Sequence, residues 1–231
     1  MQAPRSGVVR GCRHPASRGA GPPGNALAMA NTPRKLGAAI LAGGAARRYG
    51  GEDKASLDCG DGRTIVRRLL DELAAAGLEE VVICADDRRR YEALAAAVVA
   101  DLRRGAGPLG GIEAALAHYH GRADGVVLLP CDLPGISAGE ILALMDAFRA
   151  GRGRIVVART SDSLRHPLCA VVPGGLLPEV TAALDAGELG VGELWRKLGA
   201  AEVPFEDEAP FFNVNAPGDM AAWRERNRPC R

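Results

Sequence analysis

A glycine-rich, basic segment near the start of the chain is the first place where chemistry is indicated. "ILAGGAARRYGGEDK", residues 40–54, is an apolar run that enters a glycine pair, Gly43 and Gly44. Three cations follow: Arg47, Arg48 and Lys54. Bare backbone lets N–H groups approach an anion closely, and cations add charge-assisted hydrogen bonds. The segment has the spacing of neither a P-loop nor the GxGxxG fingerprint. It indicates a polyphosphate-binding loop, with a solvated basic loop as the alternative.

An aspartate follows the most apolar strand-like run of the chain. In "GVVLLPCDLP" this residue is Asp132, and Pro134 leaves it too little room to cap the helix that Ser137 begins. Mg²⁺ is usually held by one or two carboxylates together with phosphate oxygens. The position favours Asp132 as a metal ligand over a capping residue. Asp101, after "VVA", fits a capping role and a ligand role equally well.

Three further segments carry polar groups beside predicted strand ends. "AGPLGG", residues 106–111, begins a helix and leaves N–H groups free for a ligand. "FFNVNAPGD" places Asn213 and Asn215 on one face of a predicted strand, because residues i and i+2 point the same way. Two amides suit a sugar, a base or a metal-bound water, and turn chemistry before Pro217 is the alternative. A lone histidine such as His166, before a proline and a strand, is more often structural or on the surface.

The elements that must position these residues alternate along the chain from residue 36 onward. Predicted strands lie at 37–44, 79–86, 98–101, 125–132, 154–159, 167–172, 200–205 and 211–215. Predicted helices lie at 65–77, 88–97, 107–119, 137–148 and 217–226, with two more from 177 and from 192. Such alternation, with continuous apolar strands, predicts a three-layer α/β fold whose mostly parallel sheet is covered by helices on both faces. Ligands of these sheets bind beyond the carboxyl ends of the strands.

Composition limits the class of protein. With 231 residues, 47% hydrophobic and 25% charged, the chain suits one soluble globular domain. Residues 1–36 are rich in Gly, Pro and Arg, with six basic residues and no acidic one, and are predicted to be a disordered extension; Met29 offers an alternative start. The remainder has 23 basic and 28 acidic residues, a net charge of −5, which argues against non-specific nucleic-acid binding.

Targeting and redox context follow from two further features. No apolar run approaches the roughly 20 residues of a membrane span, so we expect no membrane association. The six cysteines form no CxxC pair, and Cys84, Cys131 and Cys169 lie in or beside apolar runs. They are predicted to be buried small hydrophobes in a protein of the reducing cytoplasm.

Taken together, five segments resemble one family. "LAGGAARRYGGEDK", "GPLGGI", "PCDLP", "HPLCAVV" and "FFNVNAPGD" resemble, in order and spacing, the molybdenum cofactor guanylyltransferases. The resemblance covers about residues 37–225 and makes residues 37–231 a Rossmann-like nucleotidyltransferase domain. "LAGG" rather than "LAAG", and "PCD" rather than "GDM", favour the guanylyl over the cytidylyl branch.

The resemblance implies an activity and a set of site residues. GTP, with Mg²⁺ as cofactor, would react with molybdopterin or the molybdenum cofactor to give a guanine dinucleotide and pyrophosphate, and molybdoenzymes or their chaperones would receive the product. The implied GTP-binding residues are Leu41, Ala42, Gly43, Gly44, Lys54, Asp101 and Asp132. The implied catalytic residues are Arg47, Lys54 and Asp132, and Asp132 also binds the metal. Asn213 and Asn215 would lie near the pterin.

The chain departs from the family pattern at two functional positions. Cys84 stands where the family often has a nucleotide-contacting Asn, and a thiol is a poor hydrogen-bond partner. Leu189 and Gly190 stand where an arginine is common, so a pterin-phosphate contact would come from elsewhere. Two other functions therefore stay open: a cytidylyl- or sugar-phosphate nucleotidyltransferase, and a non-catalytic protein that binds GTP or the pterin.

Overall fold

The computed structural model describes residues 35–43, 54–94, 96–103, 105–161 and 163–227. Seven strands run through this part of the chain: β1 (Leu36–Leu41), β2 (Val81–Cys84), β3 (Ala97–Val99), β4 (Gly125–Pro130), β5 (Val156–Thr160), β6 (Arg165–Pro173) and β7 (Ala201–Phe205). Six α-helices accompany them: α1 (Ile65–Ala75), α2 (Gly107–Tyr119), α3 (Ala138–Ala150), α4 (Leu177–Asp185), α5 (Val191–Lys197) and α6 (Pro217–Arg226).

The strands form one mostly parallel sheet in the order β3-β2-β1-β4-β6-β5-β7. β1 pairs in parallel with β2 and β4, and β5 pairs in parallel with β7. Among the described strands only β6 is reversed, since it pairs antiparallel with both β4 and β5. The carboxyl ends of β1, β4 and β5 and the amino end of β6 therefore meet at one edge of the sheet.

Alternating residues of the strands supply two cores, one on each face of the sheet. Ala38 and Ile40 of β1 pack on the face covered by α1, α3 and α6. Ala39 and Leu41 pack on the opposite face, against α2, α4 and α5. Because side chains of a strand point alternately to either face, a continuously apolar strand such as β1 needs helices on both sides. The predicted three-layer α/β fold is confirmed.

Helix starts follow local sequence signals. Thr64 accepts a hydrogen bond from the backbone N of Arg67 at 3.3 Å and caps α1. The predicted capping box of α3 is present, with Ser137 and Glu140 in reciprocal contact. Pro108 lies in the first turn of α2, where its missing N–H costs nothing.

Two predicted elements differ from the structure. Residues Arg88–Leu94 form 3₁₀ turns rather than an α-helix, and of these residues only Tyr91 is buried, so no apolar stripe holds a longer helix against the sheet. Residues 211–215 are not a strand. Phe211 ends a 3₁₀ turn, Ala209–Phe211. The backbone N of Val214 donates to the carbonyl of Asp132 at 2.8 Å, so this segment bonds to a loop and not to a neighbouring strand.

The described cysteines, Cys59, Cys84, Cys131 and Cys169, are buried, as predicted for the three in apolar runs. Within the described ranges, none of the helices is both long and apolar enough to cross a membrane.

Candidate active site

The end of β1 forms the floor of the site. The backbone N of Ala42 donates to the carbonyl of Cys84 at the end of β2 at 2.9 Å. On the other side, the backbone N of Cys131 donates to the carbonyl of Leu41 at 3.2 Å. The segment Leu41–Gly43 thus runs between the carboxyl ends of β2 and β4, where ligands usually bind in open α/β sheets. Gly44, Arg47 and Arg48 lie outside the described residues.

Asp101 lies on one side of this floor. A Cβ atom added at Gly43 would lie 3.6 Å from Asp101 Oδ2, and one added at Gly111 of α2 would lie 3.6 Å from Asp101 Oδ1. Oδ1 is buried and has no hydrogen-bond partner among the residues that the structure describes. Burial, together with the charge of Asp86, raises the pKa of Asp101 to about 6. A buried acceptor without a partner is costly, so this carboxylate is suited to accept hydrogen bonds from a ligand.

Asp132 lies on the other side of the floor, directly after β4. Its Oδ1 is likewise buried, and the described part of the chain offers it no hydrogen-bond partner. Burial raises the pKa of Asp132, and the nearby Lys54 ammonium opposes that shift. The loop that carries it is anchored twice. Val214 donates to the Asp132 carbonyl, and Arg68 of α1 donates from Nε to the Pro134 carbonyl at 2.7 Å.

Lys54 joins Asp132 from a distant part of the chain. It is only 6% exposed, and its Nζ donates to Asn215 Oδ1 at 2.8 Å. Asn215 is itself held, since its backbone N donates to Asp219 Oδ2 at 2.7 Å. The side chain of Asn215 therefore binds Lys54, the cation at the end of the glycine-rich segment. It does not pair with Asn213 on one face of a strand, as the sequence predicted.

Asn213 lies along a neighbouring cavity of about 430 Å³ at the same edge of the sheet. His166 is buried there, stacked on Phe211 with a ring-centroid distance of 4.7 Å, and its Nε2 lies 3.2 Å from Thr160 Oγ1. Arg226 lies over the ring of Phe212 at 4.8 Å. The cavity thus combines aromatic surfaces with hydrogen-bonding groups.

A cavity of similar size, about 440 Å³, opens at the amino ends of β2 and β3. It lies at the opposite edge of the sheet from Asp101, Asp132 and Lys54. Its lining lacks the residues singled out above, so its volume alone does not make it the site.

The sequence singled out the two aspartates and Lys54, which the structure brings to one edge of the sheet, but not several residues that contact these segments. Arg68 is one example, because an arginine in an amphipathic helix is normally a solvated charge. His166, predicted to be structural or on the surface, is buried in the wall of the second cavity, which agrees with a structural role. Its place directly before the apolar "PLCAVV" was the available signal.

The sheet order and the polar groups at its carboxyl edge are those of an α/β domain that is suited to bind a nucleotide. Residues 38–202 match the MobA-like NTP transferase domain, and the chain belongs to this family. A molybdenum cofactor guanylyltransferase of Cereibacter sphaeroides is 38% identical over 184 residues, which cover 79% of this chain and 92% of that protein. A molybdenum cofactor guanylyltransferase of Burkholderia vietnamiensis is 36% identical over 197 residues, or 81% and 94% of the two chains.

The fold has a close counterpart among solved structures. Molybdopterin-guanine dinucleotide biosynthesis protein A from Archaeoglobus fulgidus superimposes with a TM-score of 0.67 at 22% identity, over 82% of this chain and 97% of that one. At this identity the likeness concerns the fold alone.

Proposed function

We propose that this protein transfers GMP from GTP to the terminal phosphate of molybdopterin or the molybdenum cofactor and releases pyrophosphate. One observation carries the proposal beyond family membership. The strand end Leu41–Gly43 lies between two half-buried carboxylates, Asp101 and Asp132, and each has a buried oxygen to which the described residues donate no hydrogen bond. Such groups are suited to a ligand that brings hydrogen-bond donors on one side and a cation on the other.

Mg²⁺ fits the Asp132 side of this arrangement. Among the described residues, no cluster of three or more His, Cys, Asp or Glu side chains forms a complete metal cage. A magnesium site built from one carboxylate and phosphate oxygens is the usual arrangement for nucleotide substrates. Asp132 would hold the ion, which when bound neutralises the charge on the phosphates.

In the reaction, a phosphate oxygen of the pterin attacks the α-phosphorus of GTP, and the bond from that phosphorus to the β-phosphate oxygen breaks. Both partners are anions, so the protein must position them and offset their charge. Lys54 is buried and fixed by Asn215, which places a cation beside Asp132 at little entropic cost. We assign Lys54 and Arg47 to the phosphates, and the backbone of residues 41–44 to the nucleotide.

On the base side, Asp101 is proposed to accept hydrogen bonds from the guanine or its ribose. Cys84 lies fully buried at the end of β2 and offers the nucleotide at most its backbone carbonyl, which already accepts from Ala42. Asp101 would therefore contribute more to the discrimination between nucleotide bases than it would if an asparagine stood at position 84.

On the acceptor side, the 430 Å³ cavity beside Asn213 supports the assignment of the pterin. A flat heterocycle can stack on the aromatic rings there, while Asn213 offers hydrogen bonds. Asn215 would contact the same substrate only where it approaches the phosphates, because its amide oxygen holds Lys54.

The test is turnover with radiolabelled GTP, CTP and ATP, each with molybdopterin and Mg²⁺. We expect GTP to be preferred by at least about tenfold, equivalent to about 1.4 kcal/mol. Equal turnover with CTP would move the protein to the cytidylyl branch. Binding of GTP without any turnover would make it a non-catalytic carrier.

A further inference from the structure

Glu113 is a buried acidic residue that the proposed reaction does not use. It lies in the middle of α2, is 3% exposed and is surrounded on that helix by buried apolar residues. Both its oxygens have partners. Oε2 accepts from Arg103 Nε at 3.1 Å, and Oε1 accepts from Thr181 Oγ1 of α4 at 2.9 Å. A buried ion pair contributes little to stability compared with apolar packing, but it can select one arrangement of the chain.

The residue that Glu113 holds belongs to the loop between β3 and α2. Arg103 lies two residues after Asp101, and its backbone carbonyl accepts from Ala106 N at 3.4 Å. The loop also includes Gly105, with a φ value of 78°, and α2 begins at Gly107, with a φ value of 63°. Because glycine adopts many backbone conformations, the position of this loop must be set by contacts elsewhere.

The position of this loop matters because of where Asp101 lies. Its carboxylate packs against three glycines, since a Cβ added at Gly43, Gly110 or Gly111 would lie 3.5–3.6 Å from its oxygens. A shift of the loop by a fraction of an ångström would move the unpaired Oδ1 relative to the floor of the nucleotide site.

We propose that Arg103 is a positioning residue for nucleotide binding: the buried Glu113 anchors it, and through it fixes the loop that presents Asp101. The inference rests on the proposed function, since it concerns the nucleotide site of that reaction. The link between α2 and α4 through Thr181 makes the anchor rigid. Asp185 also pairs with Arg103 Nη1, at 2.5 Å, but from an exposed position.

The test compares R103M, E113Q and the double variant R103M/E113Q with wild type, and uses D185N as the matched control. We expect R103M to raise KM for GTP roughly tenfold, since small misplacements of a binding group are costly. The value of kcat at saturating GTP should change less than about threefold, because the phosphate side is untouched. R103K, which keeps the charge, should restore part of the affinity. D185N should change KM less than about twofold, because exposed ion pairs are weak.

Each result supports or contradicts the proposed role of Arg103. If R103M lowers the melting temperature but leaves KM for GTP at the wild-type value, the pair is only structural and the inference is wrong. If R103M does not fold, the double variant, in which no unpaired buried charge remains, provides the same KM comparison. If wild type prefers another nucleotide, the proposed function fails, and the inference is then judged on KM for that nucleotide.

Discussion

At the scale of single residues, two aspartates with the same orphaned oxygen have different electrostatic surroundings. Asp132 has the Lys54 ammonium nearby, which lowers its pKa, whereas the charge of Asp86, another carboxylate, raises the pKa of Asp101. Burial raises the pKa of both, but only Asp132 is partly compensated. The first arrangement suits an ion and phosphates, and the second suits hydrogen-bond donors that do not add further negative charge.

Replacing Asp132 by Asn tests the metal assignment. The change keeps the shape and removes the charge, so turnover should fall at least about a hundredfold. The variant should be as stable as wild type or more stable, because the neutral Asn side chain removes the cost of keeping an ionised carboxylate partly buried. The measurement is steady-state turnover against Mg²⁺ concentration, with melting curves alongside. Wild-type turnover with unchanged Mg²⁺ dependence would show that the metal is held elsewhere.

Asp101 makes stability depend on pH. Its pKa rises from an ordinary 3.8 to about 6 in the folded protein, so folding favours the protonated form. Its contribution to the free energy of unfolding is therefore fully present below the unfolded pKa and is lost as pH rises through about 6. D101N lacks this titration, so the melting temperature of wild type should fall relative to that of D101N as the pH rises from 4 to 6. Parallel curves across this window would mean that Asp101 is solvated.

At the scale of elements, helix starts show where local sequence decides structure. Thr64 and Ser137 cap α1 and α3 with their side chains, as their sequence patterns predict. α6 is different, because the side chain of Ala216 at its N-cap has no acceptor atom. Only half of a capping box remains there: Asp219 Oδ2 accepts from the backbone N atoms of Asn215 and Ala216 at 2.7 and 2.6 Å.

Restoring the missing acceptor should stabilise the protein. Ala216 already has the extended conformation of an N-cap, with φ −125° and ψ 158°, so A216T should add about 1 kcal/mol to the free energy of unfolding. S137A is the matched control and should lose a similar amount at α3. Denaturant unfolding of both variants measures the effect. A loss of stability in A216T would show that a threonine side chain disturbs the neighbouring Lys54–Asn215 contact.

The two misassigned elements have a common cause. Residues 88–97 contain helix-forming types, and residues 211–215 contain strand-forming types, yet the structure has 3₁₀ turns and a loop there. In both places local preference is weak and packing decides. Val214 is fully buried and bonded to the Asp132 loop, which takes its backbone away from any sheet edge.

At the scale of the whole molecule, the described structure is consistent with a single catalytic domain. β1 begins at Leu36, and the family match spans residues 38–202. The predicted extension at residues 1–36 lies almost entirely outside the described residues. We predict that a variant starting at Met29 keeps the melting temperature and turnover of the full chain, because residues 1–28 contain few groups that could be buried. A clear loss of either quantity would contradict this.

The sequence by itself determined the α/β class, most strand and helix positions and the identity of the main polar residues. These features depend on periodicity, glycine pairs and capping residues, which act over a few positions of the chain. It also favours a role other than capping for Asp132, because Pro134 and Ser137 are close neighbours in sequence, and this stays a prediction.

Only the tertiary structure decided which of these residues meet. Lys54 and Asn215 are 161 positions apart, and Arg103 reaches Asp185 across 82. No local pattern records such contacts, because they arise when the segment before α6 binds the loop after β4 and when α2 packs on α4. The orphaned oxygens of Asp101 and Asp132 are of the same kind: whether a carboxylate is solvated, paired or left for a ligand depends on every element packed around it.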